Sequence, residues 1–161
     1  YTDMTYVFHS TKEYSDLIQS FINESSLSNC EIVSDNKIKH HILQKSVFAV
    51  AKSGTVSLEI SNAKIPSIIL YKMGFINFMI VKSLVKTKYA NIINFAANEE
   101  IIPELLQSDC NSKNIFKHVS NFLEDPNKIK EQVNKVQNVL NKLKTNGSSS
   151  ELASLSLNKF L

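Results

Sequence analysis

Short apolar runs alternate with segments of helical periodicity along most of the chain. The clearest succession lies between residues 47 and 71, where an apolar run leads into Ser53, Gly54 and Thr55, then into a helical pattern, and then into a second apolar run. This order predicts a strand, a turn, a helix and a second strand, which together form a βαβ unit. The turn of such a unit lies at the carboxyl edge of a parallel sheet.

The same pattern extends over the rest of the sequence. It predicts strands at 4–9, 30–33, 47–51, 67–72 and 89–95. It predicts helices at 10–22, at 37–46 with Ile38 facing inward, after Thr55, and at 74–88, 101–107, 112–123, 127–144 and 151–161. Because strands alternate with helices, we expect an α/β fold with a Rossmann-like, doubly wound parallel sheet, which binds ligands beyond the carboxyl ends of its strands.

Two segments stand apart from this alternation. Residues 74–88 are apolar around nearly the whole helix and are flanked by lysines. This segment either packs against a partner domain or second subunit, which we favour, or lies in a membrane interface. Residues 127–144 carry one apolar stripe, which predicts a strut that packs on this domain or on another one. We therefore expect a Rossmann-like domain at 1–126 and carboxyl-terminal helices at 127–161.

Composition narrows the class of protein. With 161 residues, 43% hydrophobic and 20% charged, the chain is typical of one soluble globular domain. The net charge is only +3 and all 18 cations are lysines, so the bidentate forks that arginine offers to nucleic acids are absent and we expect no nucleic-acid partner. Two cysteines make no disulfide framework, which favours reduced thiols in the cytoplasm. No apolar run reaches the roughly 18 to 20 residues of a membrane span.

The turn after the central strand is the main candidate for chemistry. A helix that starts at Thr55 leaves the backbone N–H groups of Thr55, Val56 and Ser57 without intrahelical partners, which suits an anion. Glu59 lies one helical turn further on the same face. Such a set suits a nucleotide diphosphate followed by a ribose diol. An ordinary capped helix is the alternative, and on this stretch alone it is the better supported of the two.

Other chemistries have weaker support. His40 and His41 are adjacent, so on a helix they point about 100° apart and cannot both face one metal ion. Cys110 has no histidine beside it in the sequence. Only three glycines occur in the chain, and neither a Walker loop nor a GxGxxG motif is present. We therefore expect no metal and no cofactor.

Five sequence blocks together resemble the lipid-A-disaccharide synthase family. They are KSGTVSLE (52–59), YKM (71–73), LVKT (84–87) with a tyrosine two residues later, Asn94, and PELLQ (103–107) with a cysteine shortly after. The blocks follow one another in the order and with the gaps typical of that family. The resemblance covers roughly residues 5–160 and corresponds to the carboxyl-terminal half of those enzymes.

The resemblance implies an inverting glycosyltransferase with two facing Rossmann-like domains, the GT-B arrangement. Such an enzyme transfers diacylglucosamine from UDP to a lipid monosaccharide phosphate, forms the lipid A disaccharide and releases UDP. Residues 1–126 would be its nucleotide-sugar-binding domain. By resemblance, the diphosphate would bind at Ser53, Gly54 and Thr55, the ribose at Glu59, and the donor sugar near Asn94, Glu104 and Gln107.

The resemblance also implies partners and a location. An amino-terminal acceptor domain would carry the general base, so we expect this chain alone to be inactive. The first strand and the glycine-rich loop of the domain are missing from the expected pattern. The enzyme would act in the cytoplasm of a Gram-negative bacterium, peripherally on the inner membrane, with a homodimer as a further possibility. Asn98 and Glu99 stand where the family commonly has a Gly-Arg pair, which puts one donor contact in question.

Two other functions stay open at this point. The first is another GT-B nucleotide-sugar enzyme, such as the transferase of peptidoglycan lipid intermediates, or a nucleotide-sugar epimerase. These would share the helix start and the acidic residue but lack the LVKT and PELLQ blocks. The second is a non-catalytic interaction module.

Overall fold

A computed structural model of the chain describes residues 3–74, 77–79 and 88–144. The strands are β1 (Tyr6–His9), β2 (Cys30–Val33), β3 (Ala49–Lys52), β4 (Ser67–Tyr71) and β5 (Glu104–Leu106). The helices are α1 (Ser15–Glu24), α2 (Asn36–Lys45), α3 (Thr55–Asn62), α4 (Ile92–Ala97), α5 (Ser112–Leu123) and α6 (Pro126–Leu143), with 3-10 turns at Lys12–Tyr14 and Gln107–Asp109. The LVKT block, most of the predicted helix at 74–88 and the predicted helix at 151–161 lie outside the described residues.

The chain forms two compact units, which meet in the sequence between Ser46 and Val47. In the first unit, β1 and β2 pair in parallel, with Tyr6 opposite Cys30. Helix α1 packs beside β2 and buries Ile22. Helix α2 is capped by the side chain of Asp35, which accepts a hydrogen bond from an N–H group of the first turn.

The second unit contains a three-stranded parallel sheet in the order β3-β4-β5, with β4 in the centre. Ala49 of β3 lies opposite Ser67, and Ile69 of β4 lies opposite Glu104. Helix α3 connects β3 to β4, as the βαβ pattern predicts. Parallel strands flanked by helices confirm the expected α/β, Rossmann-like fold class.

The core of the second unit lies between the sheet and helix α6. Its buried members are Ile69, Ile93, Ile101, Ile102, Val136, Val139 and Leu140. Helix α6 packs against α3, α4 and α5 and buries Val136, Val139 and Leu140, whereas Leu143 at the end of the predicted apolar stripe is exposed. Gln132 of α6 is 4% exposed, and its amide pairs with both the N–H group and the carbonyl oxygen of Ser67 at 2.7 and 3.0 Å. This pairing fixes the amino end of the central strand on the helix.

Two predicted elements are wrong. Residues 89–95, predicted as a strand, form a loop followed by helix α4, because the Asn91 side chain caps this helix by accepting from the Ile93 N–H group at 2.9 Å. Residues 101–107, predicted as a helix, contain strand β5, because the backbone from Pro103 onward joins the edge of the sheet: the Ile69 N–H group donates to the Pro103 carbonyl at 2.9 Å. In both segments the tertiary contacts override local patterns that are only a few residues long.

Smaller differences occur in the first unit. The helix predicted at 10–22 is a 3-10 turn followed by α1, which begins at Ser15 and ends at Glu24. Ile38 of α2, expected to face inward, is 48% exposed. Among the apolar side chains that the structure describes in this unit, only Ile22 is buried. The described residues therefore form little apolar core against which one face of α2 could pack.

Candidate functional site

The loops that follow β3, β4 and β5 lie at one edge of the sheet, because parallel strands end on the same side. Ser53 and Gly54 follow β3, Met73 follows β4 by two residues, and Gln107 follows β5 directly. Three of the sequence blocks therefore meet at this carboxyl edge. We call these loops and the start of α3 the carboxyl-edge site.

Gly54 determines how the chain enters α3. Its φ of 145° and ψ of −163° lie in a region that only glycine adopts readily. A Cβ atom added to Gly54 would meet nothing within 4 Å, so the requirement for glycine comes from the backbone and not from lack of space. The turn therefore presents open surface beside the start of a helix.

The helix start offers fewer N–H groups than predicted. The Ser57 N–H group donates to the Gly54 carbonyl oxygen at 3.1 Å, and the Ser57 hydroxyl donates to the same oxygen at 2.6 Å. The prediction of a free N–H group at Ser57 is thus wrong, because the first turn closes on itself. Thr55 and Val56 are both exposed and precede the first intrahelical donor position. Glu59 lies one turn further along α3 and is exposed.

Ser53 connects the turn to the loop before α4. Its hydroxyl donates to the carbonyl oxygen of Ala90 at 2.7 Å, across 37 residues of sequence. This bond joins the end of β3 to the entrance of α4.

Glu104 holds the same loop from the side of β5. One carboxylate oxygen accepts from the Ala90 N–H group at 2.7 Å, and the other accepts from the Asn91 N–H group at 3.0 Å and from the Asn94 amide at 2.7 Å. Three N–H donors therefore surround one carboxylate in a part of the structure that is only partly exposed.

Asn94 is fully buried on α4. Its side-chain oxygen accepts from the Ile101 and Ile102 N–H groups, each at 2.9 Å, and its side-chain nitrogen donates to the Ile102 carbonyl and to Glu104, each at 2.7 Å. A side-chain amide has two N–H donors and two lone pairs on its oxygen, so every hydrogen-bonding position of Asn94 is occupied within the protein.

Gln107 holds the chain that leaves β4. Its amide oxygen accepts from the Met73 N–H group at 2.8 Å and its amide nitrogen donates to the Met73 carbonyl at 3.1 Å. Gln107 itself has a φ of 49°, in the left-handed region that non-glycine residues seldom adopt. The side chain thus extends the pairing of β4 past the end of β5.

Only some of the predicted site residues are connected by hydrogen bonds. Ser53, Asn94 and Glu104 belong to one hydrogen-bonded network that passes through Ala90, whereas Gln107 binds Met73 separately. Ala90 acts through its backbone, and nothing in its side chain could have marked it in the sequence. The cap at Asn91, by contrast, could have been predicted from the sequence, because asparagine is favoured at helix amino-terminal caps.

Asn98 and Glu99 have structural roles. Asn98 ends α4 with a φ of 52°. Glu99 forms an ion pair with Lys135 of α6 at 2.8 Å, and Glu131 contacts the same ammonium at 3.1 Å. The hydrogen bond that Lys135 donates to Glu99, followed by the one it donates to Glu131, raises the pKa of Lys135 above its ordinary value of 10.5.

Within residues 3–74, 77–79 and 88–144, no three His, Cys, Asp or Glu side chains lie together as metal ligands would. In the described part of the chain, no helix combines the length and hydropathy that a bilayer crossing requires.

Parallel strands joined by helices, with a glycine turn and a helix start at the carboxyl edge, define a Rossmann-like α/β protein. Residues 1–157 match the family described as lipid-A-disaccharide synthetase. The lipid-A-disaccharide synthase of Rickettsia prowazekii (strain Madrid E) is 33% identical over 156 residues, which are 95% of this chain and 40% of that relative. The chain therefore belongs to the lipid-A-disaccharide synthetase family, which confirms the resemblance of the five sequence blocks.

Two further relatives match shorter stretches. The lipid-A-disaccharide synthase of Rickettsia felis (strain ATCC VR-1525 / URRWXCal2) is 41% identical over 107 residues, 65% of this chain and 27% of that protein. Lipid-A-disaccharide synthase 1 of Legionella pneumophila (strain Philadelphia 1) is 38% identical over 104 residues, 65% of this chain and 26% of that protein. The chain thus matches 26 to 40% of the length of these three relatives.

Proposed function

We propose that this chain provides the donor-binding half of a glycosyltransferase of lipid A biosynthesis. The full enzyme transfers diacylglucosamine from UDP to a lipid monosaccharide phosphate, with inversion at the sugar carbon, and releases UDP. The observation that carries the proposal is the Gly54 turn, from which α3 starts at the carboxyl edge of the sheet. The family to which the chain belongs supports the same reading. The proposal extends to the whole enzyme, of which this chain supplies one part.

The chemical task of this half is to stabilise the leaving group. As the bond between the sugar and phosphate breaks, negative charge grows on the β-phosphate of UDP. Backbone N–H groups that are already oriented at a helix start stabilise that charge without rearranging. Thr55 and Val56, the first two residues of α3, are exposed, so their backbone N–H groups are candidates for this role. No metal or cofactor is required for this step.

All seven predicted site residues enter this proposal, and Ser53 changes from a diphosphate contact to a support of the turn. Gly54 and Thr55 contact the diphosphate, and the exposed carboxylate of Glu59 accepts hydrogen bonds from the ribose hydroxyls. Ser53, Asn94 and Glu104 support that turn through their hydrogen bonds around Ala90, and Gln107 lies on the donor-sugar side, bonded to Met73.

The remaining parts of the enzyme follow from its substrates. Both substrates carry acyl chains, so the enzyme works at a membrane surface, which we take to be the cytoplasmic face of the inner membrane. An amino-terminal domain binds the acceptor and supplies the general base. This chain alone should therefore bind the nucleotide but not turn over.

Donor specificity tests the proposed reaction. Full-length protein should form disaccharide from acylated UDP-glucosamine and an acylated monosaccharide phosphate, and should form none from plain UDP-N-acetylglucosamine. The opposite preference would favour another nucleotide-sugar enzyme. Absence of transfer from any UDP-sugar would favour an interaction module.

A titration tests the metal-free mechanism. UDP binding to the full-length protein should have the same dissociation constant with and without a chelator, because the diphosphate is held by backbone N–H groups. A large loss of affinity in the presence of the chelator would indicate a bridging metal ion and would contradict this mechanism.

A further inference from the structure

We propose that Glu104 and Asn94 are positioning residues, which act on the donor through the backbone of Ala90 and the hydroxyl of Ser53 and do not contact the donor themselves. The inference rests on the proposed function, because it concerns the residues that hold the diphosphate-binding turn. It gives the loop before α4 a role in binding.

The hydroxyl of Ser53 is already bound within the protein. A phosphate oxygen of UDP is a hydrogen-bond acceptor, so a hydroxyl must donate its single proton to contact it. Ser53 donates that proton to the Ala90 carbonyl oxygen at 2.7 Å. The hydroxyl of Ser53 therefore contributes by anchoring Ser53 to the loop before α4. This anchor fixes the backbone that leads through Gly54 into α3.

Glu104 fixes Ala90, which accepts the hydrogen bond from Ser53. The Ala90 N–H group donates to Glu104 at 2.7 Å, and the next N–H group, that of Asn91, donates to the other carboxylate oxygen at 3.0 Å. Ala90 is thus bonded on its N–H side to Glu104 and on its carbonyl side to Ser53. The three residues act in series.

Asn94 in turn restrains Glu104. All of its donors and acceptors are used within the protein, so contact with a sugar hydroxyl would require breaking one of its buried bonds. Its bond of 2.7 Å to Glu104 restrains the carboxylate that holds Ala90. A polar residue with this environment orients its neighbours and does not select a ligand.

The test compares binding of UDP with binding of the acylated UDP-glucosamine donor to full-length protein. The variants are Ser53→Ala, Ser53→Thr, Glu104→Gln and the double variant Ser53→Ala/Glu104→Gln. We expect Ser53→Ala and Glu104→Gln each to weaken both ligands by the same factor, about tenfold, because the damage lies at the diphosphate turn. Ser53→Thr keeps a hydroxyl and should stay within about twofold of the wild type.

The double variant tests the series arrangement. Two residues that act through one chain of bonds are not additive, so the double variant should bind UDP no more weakly than the weaker single variant. Glu131→Gln is the matched control, because it removes a carboxylate from an exposed ion pair on α6 and should leave UDP affinity unchanged. Thermal unfolding shows whether each variant is folded. If Glu104→Gln does not fold, the comparison of Ser53→Ala with Ser53→Thr tests the inference.

Three results would overturn the inference while wild-type protein still binds UDP. They are loss of donor affinity with unchanged UDP affinity in Glu104→Gln, additive losses in the double variant, and a loss in Ser53→Thr as large as in Ser53→Ala. The first would show that Glu104 contacts the sugar. Wild-type protein that binds no UDP would instead overturn the proposed function, and this inference with it.

Discussion

Replacing Asn94 by leucine should strongly destabilise the second unit. Leucine has a similar shape but leaves the N–H groups of Ile101 and Ile102 and the Ile102 carbonyl oxygen without their partner. Asn94 is 0% exposed and Ile102 is 1% exposed, so water cannot replace the lost bonds without a rearrangement. Each unpaired buried group costs about 1 to 3 kcal/mol, and two of these groups share one acceptor. With the shared acceptor counted once, we expect Asn94→Leu to lower the free energy of unfolding by about 2 to 6 kcal/mol.

The assay is urea unfolding followed by circular dichroism, combined with amide hydrogen exchange at Ile101 and Ile102. The expected loss is a large share of the about 5 to 15 kcal/mol that stabilises a typical domain. Asn134→Leu is the matched control, because Asn134 is exposed in the middle of α6 and its replacement should change stability by at most about 0.5 kcal/mol. Equal stabilities of the two variants, with both amides still protected, would refute the reasoning.

A second replacement at the same position adds a pH test. Asn94→Asp keeps the acceptor for both N–H groups but places a carboxyl oxygen against the Ile102 carbonyl and Glu104. Burial and the neighbouring carboxylate should raise the pKa of the new group in the folded state above the unfolded value of about 3.9. Stability relative to wild type should then fall as pH rises from that value through the folded pKa. A destabilisation that is the same at pH 5 and pH 8 would contradict this account.

The remaining predictions concern the helix start and the ion pair on α6. Gly54→Ala should cost about 1 to 3 kcal/mol in thermal or urea unfolding, through backbone strain at a φ of 145°; an unchanged stability would show that the turn relaxes. Glu59→Ala should weaken UDP binding by about 1 to 3 kcal/mol in a calorimetric titration, and wild-type affinity would remove Glu59 from the site. Because the folded pKa of Lys135 is raised above 10.5, its ion pair should stabilise the fold below that pH and lose this effect as pH rises through the folded pKa. The difference in melting temperature between wild type and Lys135→Met should therefore shrink from pH 9 to pH 11.5, and a difference that grows would be the wrong sign.

The sequence predicted those elements whose signals are local. The strand at Cys30–Val33 has the predicted bounds, and the β3, α3 and β4 succession is shifted by only one or two residues, because apolar runs, a glycine turn and helical spacing lie within a short window. Residues 89–107 were mispredicted because their structure depends on distant partners. Strand β5 has three residues and α4 has six, so neither contains enough residues for periodicity to distinguish a strand from a helix.

The sequence singled out residues that the fold brings near one another, but it did not show what their polar atoms contact. Asn94 and Glu104 lie ten residues apart in the sequence and within one hydrogen-bonded network. What the sequence did not show is that their polar atoms bind backbone groups, since burial and hydrogen-bond partners are set by the fold. Ser57 was expected to present a free N–H group, and the Gly54 carbonyl takes it instead.

The central claim is that the start of α3 binds the diphosphate of UDP. A crystal structure of the full-length protein soaked with UDP tests it most directly. We expect β-phosphate oxygens within hydrogen-bond distance of the N–H groups of Thr55 and Val56, with the ribose hydroxyls on Glu59. UDP bound at another place, or Thr55 and Val56 N–H groups covered by protein in that structure, would contradict it.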